Sequence, residues 1–134
     1  MMIEVLYCGS SSACFEIKGQ SPYTCGSAYT VLVDGVKKTE GETNVFSLYG
    51  LKPDARYRVS VQFASGEEEN LEIATVPEAC CINVKDFGAV GDGIHEDTGA
   101  IQAAVNFLPE NGRLLFPDGT YLLCPVALKS HITL

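Results

Sequence analysis

The sequence predicts a mainly β protein in two parts. An antiparallel sandwich comes first, followed by a smaller unit of strand, glycine turn, single helix, strand, turn and strand. Three observations carry this reading. From Met2 to about Val76, short apolar runs of period two are separated by Gly, Pro, Asn, Asp and Ser turn signals. From Gly99 to Leu108 the apolar spacing becomes helical. Between them, Thr75-Val76-Pro77-Glu78-Ala79 reads as a short linker, because Pro77 has no N–H to give a central strand. The parts are therefore placed at 1–78 and 79–134.

In the first part, Ile3, Val5 and Tyr7 alternate with Glu4 and Leu6, and Ala13 to Ile17 form a second strand after Ser10-Ser11-Ser12. Tyr29, Val31 and Val33 form a third, turned by Asp34-Gly35, a hairpin signal. Thr43 to Leu48 supplies another. Arg56 to Phe63 alternates most clearly, with Tyr57, Val59, Val61 and Phe63 inward. Leu71 to Val76 closes the set after Gly66-Glu67-Glu68-Glu69-Asn70, which reads as a solvated acidic hairpin tip.

In the second part, Gly88, Gly91 and Gly93 crowd one turn and supply positive φ. Asp97 and Thr98 stand where a helix N-cap belongs. Ile101, Ala104, Val105 and Leu108 then share one helix face, and Pro109 ends the pattern. Apolar runs at Arg113 to Phe116 and Tyr121 to Leu123 flank the turn Pro117-Asp118-Gly119-Thr120.

Two resemblances sharpen these readings. The stretch from Val84 to Leu134 resembles the opening of the catalytic domain of the polygalacturonases, pectin-cleaving glycoside hydrolases built as right-handed parallel β-helices. It has the strand-Gly-Ala-x-Gly-Asp-Gly signal at Gly88 to Gly93 and an Asp-Thr helix start at Asp97-Thr98. It also has the turn Phe116-Pro117-Asp118-Gly119-Thr120-Tyr121, a strand-like Val126 to Ser130 and a return strand at Ile132 to Leu134. Pectate-lyase-like enzymes and phage tail spikes open similarly. The second resemblance lies in Leu48 to Val59, which is similar to the corner between the fifth and sixth strands of fibronectin type III domains. It implies that Leu51 plugs the sandwich end and that the Tyr57 hydroxyl bonds back to backbone near the Leu-Lys-Pro turn. That family buries a Trp in its second strand; this chain has none, and Phe15 stands in. The fold expected is thus a fibronectin type III-like, immunoglobulin-like sandwich, followed by the N-terminal cap helix and first coil of a right-handed parallel β-helix.

Composition bounds the function. The 134 residues, 46% of them hydrophobic, mark a folded chain. A net charge of −8 argues against nucleic acid and against an anionic membrane surface, since both need clustered Lys or Arg. No apolar run is long enough to span a bilayer. Met1 to Cys8 carries no basic n-region and reads as a strand, so with Met1 as the start a cytoplasmic location is expected. The six cysteines, Cys8, Cys14, Cys25, Cys80, Cys81 and Cys124, show no spacing that selects a pairing, and free thiols are expected. With only His95 and His131 to help, no zinc site is expected, and no other metal or cofactor.

Asp92, Asp97 and Asp118 are the carboxylates that invite a catalytic reading, because glycosidases work with paired carboxyl groups. Each has a structural role instead: Asp92 between glycines in a turn, Asp97 as a helix cap, and Asp118 in Pro-Asp-Gly. The resemblance agrees, since its implied active-site motifs Asn-Thr-Asp, Asp-Asp, Gly-His-Gly and Arg-Ile-Lys occur nowhere in the chain. No Gly-x-Ser-x-Gly, no Cys-His pairing and no phosphate-loop Lys-Ser/Thr is present either. No catalytic residue is assigned, and no substrate-binding residue is identified.

The expectation is the N-terminal, non-catalytic portion of a polygalacturonase. The whole enzyme would hydrolyse α-1,4-galacturonosyl bonds of polygalacturonate or oligogalacturonides, exo-acting and inverting, with the sandwich as a scaffold beside the substrate groove. The alternatives are a binding or adhesion module on a β-helix stalk and a pectate-lyase-like fragment. A solenoid needs about three stacked repeats to bury its core, so the unit reads as a truncated start. Its apolar Ile132-Thr133-Leu134 edge is expected to pair between copies as a homo-oligomer.

Overall fold

A computed structural model describes residues 1–19 and 21–134. They form two compact units, Met1–Pro77 and Glu78–Leu134, each taken by itself below.

The first unit has seven strands among the described residues: β1 (Met2–Cys8), β2 (Ala13–Lys18), β3 (Thr24–Val33), β4 (Val36–Thr43), β5 (Val45–Leu48), β6 (Arg56–Phe63) and β7 (Glu68–Ala74). They pair antiparallel in two sheets, ordered β1-β2-β5 and β4-β3-β6-β7. Period-two alternation turns Phe15 and Ile17 inward from one sheet and Val31, Val59 and Val61 from the other, and all five are fully buried. Phe15 fills the core position expected of it, stacked on Phe46 with ring centroids 4.8 Å apart.

The corner between β5 and β6 is built as the residues imply. Leu51 is buried, and the Tyr57 hydroxyl accepts the Lys52 N–H at 2.8 Å. This tyrosine corner, with the three-on-four strand order, makes the unit a fibronectin type III-like, immunoglobulin-like sandwich.

The sheet differs from the sequence reading in three places. The Asp34-Gly35 turn leads into β4, a strand running the whole of Val36–Thr43, where polar residues hide the period. Glu68 to Asn70 belong to β7 rather than to a loop tip, because their backbone pairs with Ser60 to Gln62 while most of their side chains stay in water. In β1, a register shift between Val5 and Tyr7 breaks the alternation and leaves Leu6 and Tyr7 exposed on this edge strand.

The second unit contains β8 (Cys81–Asn83), a 3₁₀ turn (Val84–Phe87), β9 (Asp92–Glu96), α1 (Thr98–Phe107), β10 (Gly112–Leu115), β11 (Thr120–Leu122) and β12 (Ile132–Thr133). Both of its sheets are parallel, β12-β10-β8 and β9-β11. Parallel neighbours require crossover connections, so the chain winds as a coil around Val84, Ile101, Ala104, Val105, Leu108 and Leu114. The predicted helix face is the buried one.

This unit departs from the sequence reading in two places. β9 sits inside the stretch read as a glycine turn, and Asp92 and Glu96 pair with Thr120 and Leu122. Conversely, Val126 to Ser130, expected as a strand, forms none and pairs with none among the described residues. Its backbone partners are side chains of α1 instead. Among the described residues no helix is long and apolar enough to cross a membrane.

Candidate functional site

Asp92, His95 and Asp97 gather at the glycine turn of the second unit, and their hydrogen bonds run to its backbone and to one another. Gly88, Gly91 and Gly93 have φ of +99°, +72° and +72°, the left-handed region expected of them. Two of the N–H groups in this turn, from Val90 and Gly91, converge on the carboxylate of Asp97 at 2.8 and 3.0 Å. Such a concave set of N–H groups is a general anion-binding arrangement. Here the chain supplies its own anion, and Asp97 is 2% exposed.

This corrects the role expected of Asp97. It occupies the N-cap position of α1, yet its side chain makes no capping bond to the helix. Both carboxylate oxygens are committed to the turn seven and six residues earlier. Thr98 does not cap the helix either: it is the first helical residue, and its Oγ1 accepts the Cys124 N–H at 2.8 Å.

Asp92 closes a second, exposed turn. Its Oδ1 accepts the N–H groups of Ile94 and His95, both at 2.9 Å, and its Oδ2 meets Nδ1 of His95. The His95 and Ile94 N–H donors, followed by the His95 ring, hold this carboxyl down at about 2. A carboxylate so depressed stays ionised at neutral pH, and an inverting hydrolase's general acid must be protonated to act. Asp118 lies exposed at the Pro117-Asp118-Gly119 turn. His131 is exposed with φ of +60°, well separated in the chain from His95. The carboxylates of Asp92 and Asp97 thus hold turn backbone.

Three of the nine Lys and Arg side chains are held in ion pairs. Lys18 pairs with Glu4 and Glu16, Lys37 with Glu40, and Arg113 with Glu78. A groove of about 480 Å³ runs beside Tyr29, Glu40, Glu42, Gln62 and Phe63 in the first unit. Its acidic lining is unsuited to a polyanion. Among the described residues no three His, Cys, Asp or Glu side chains gather in a metal-binding group. All six cysteines are free thiols.

Residues 81–134 match the family model described as rhamnogalacturonase A/epimerase, pectate lyase-like. Among curated proteins, the chain is 33% identical over 91 residues to an exo-poly-alpha-D-galacturonosidase of Dickeya chrysanthemi, covering 63% of this chain and 15% of that one. It is 48% identical over 58 residues to a plasmin and fibronectin-binding protein A of Streptococcus pneumoniae, covering 40% of this chain and 8% of that one. In fold, it matches the Yersinia enterocolitica family 28 exopolygalacturonase with a TM-score of 0.68 at 23% identity, over 99% of this chain and 30% of that one. The chain therefore spans a small part of each relative's length. It resembles a portion of a polygalacturonase, with a fibronectin type III-like sandwich and the start of a parallel β-helix in succession.

Proposed function

We propose, from the pectate lyase-like match of residues 81–134, that the chain is the N-terminal, non-catalytic portion of a polygalacturonase. In this reading the whole protein hydrolyses α-1,4-galacturonosyl bonds of polygalacturonate or oligogalacturonides, exo-acting and with inversion. The observation that carries it is the fold match over 99% of the chain to an exopolygalacturonase, joined to the sequence match with an exo-poly-alpha-D-galacturonosidase. The commitment of Asp92 and Asp97 to turns supports assigning catalysis to other parts of such a protein. In this reading the protein is cytoplasmic.

The test is to extend the coding sequence past Leu134 and assay both products on polygalacturonate for new reducing ends. Release by the longer protein and none by residues 1–134 is expected. No release by the longer protein would overturn the hydrolase reading. If unsaturated ends absorbing in the ultraviolet formed instead, the protein would be a lyase.

The similarity to a plasmin and fibronectin-binding protein favours a second reading, a binding module carried on a β-helix. Retention of plasmin or fibronectin by residues 1–134, with no reducing-end release from the longer protein, would establish it.

The edge of the β12-β10-β8 sheet supports pairing between copies, because β12 is bonded on one side only. Sedimentation velocity should then show association that grows with concentration; a single monomer boundary across a wide range would count against it.

A further inference from the structure

One flank of α1 carries Thr98, Gln102 and Asn106 at i, i+4 and i+8, one polar stripe along the helix beside its buried face. Polar residues at that spacing are ordinarily just a solvated face. Here they hold a length of chain. Thr98 Oγ1 accepts the Cys124 N–H at 2.8 Å. The Gln102 amide makes two bonds to one residue: its Oε1 accepts the Ala127 N–H at 2.8 Å and its Nε2 donates to the Ala127 carbonyl at 3.0 Å. Asn106 Oδ1 accepts from the same Nε2, which orients the amide, and the Asn106 carbonyl accepts from Lys129 Nζ at 3.1 Å.

The segment held this way, Leu123 to Ser130, has no backbone-to-backbone bond among the described residues. Little else fixes it. Val126 packs against the core, while Leu123 and Leu128 are 42% and 61% exposed. An extended segment must find partners for its N–H and carbonyl groups, and a side-chain amide presents the donor and acceptor pair of a neighbouring strand. Four helical residues advance by about 6 Å, close to the roughly 6.6 Å of two extended residues. Side chains four residues apart on the helix can therefore address positions about two residues apart on a strap.

We infer that the Thr98-Gln102-Asn106 stripe is a register template: it holds the strap from Leu123 to Ser130 as a strand neighbour would. It thereby sets where β12 meets β10. The helix serves two functions at once, closing the core with Ile101, Ala104 and Val105 and indexing the strap with the flank beside them. Gln102 is the central pin, since it alone engages both backbone groups of a strap residue.

Amide hydrogen exchange resolved by residue tests this on the intact chain. Gln102→Met keeps the bulk and removes both bonds, so exchange at Ala127 should rise about tenfold, the loss of roughly one net hydrogen bond. Exchange at Leu114, in β10, should stay unchanged. Gln102→Glu retains the acceptor for the Ala127 N–H and should preserve most of its protection. Thr98→Ala should release the Cys124 amide alone. Unchanged exchange at Ala127 in Gln102→Met would overturn the inference. So would an equal rise at Leu114, which would mean that Gln102 stabilises the whole unit instead of indexing the strap.

Discussion

The buried carboxylate of Asp97 accepts the backbone N–H of Gly91 at 3.0 Å, tying the start of the helix to the turn before it. Its other oxygen takes the Val90 N–H, so one side chain satisfies two donors of a turn that has few other partners. Replacing it with Ala leaves both donors unmet. Asp97→Ala should destabilise the chain by about 2–3 kcal/mol, read from urea denaturation. A loss below about 0.5 kcal/mol would show that water replaces the carboxylate without cost.

Gly91 also accepts the Thr120 N–H at 2.9 Å, which draws the Pro117-Asp118-Gly119 turn against it. A Cβ on Gly119 would stand 2.7 Å from the Gly91 oxygen, closer than real Cβ atoms come. Both sides of that contact are backbone, so neither yields easily. Gly119→Ala should lower stability by about 1–3 kcal/mol, while Gly99→Ala, with open space around it, should be harmless or stabilising. Thermal unfolding of the two variants side by side distinguishes them.

Asp92 gives a pH signature. Its carboxyl lies at about 2, below the ordinary 3.8, so the folded state favours the ionised form. The resulting stabilisation is present above about pH 4 and disappears as the pH falls through 2. Asp92→Asn lacks it at every pH. The melting temperatures of the two proteins should differ at neutral pH and converge toward pH 2. A gap that stays constant across this range would mean that the turn does not depend on the charge.

In the sandwich, Tyr57→Phe removes only the acceptor for the Lys52 N–H. The expected loss is about 1 kcal/mol with the fold retained, checked by chemical denaturation.

Much of this architecture is legible in the residues. The alternation of Tyr57, Val59, Val61 and Phe63 specifies which side of β6 is inside, because a side chain's face in a strand is fixed by parity. The spacing of Ile101, Ala104, Val105 and Leu108 specifies the buried face of α1 in the same local way. Leu51 and Tyr57 are also local, six residues apart, and their corner forms as their order implies. β4 and β9 escape this reading because their polar residues show no apolar period, and their strand character comes from a neighbour's backbone.

What the sequence by itself determined was therefore the class, the direction of most faces and the absence of the family's catalytic motifs. The tertiary structure decided which group each polar side chain serves. An Asp before a helix looks like a cap, but the oxygens of Asp97 are nearer the N–H groups of Val90 and Gly91 than those of its own helix. Val126 to Ser130 looks like a strand, but Gln102 and Thr98 reach its end of the chain before any strand does. Apolar period is a property of consecutive residues. A hydrogen-bond partner is a property of distance in space, and folding alone brings Gln102 to within 2.8 Å of a residue 25 positions away.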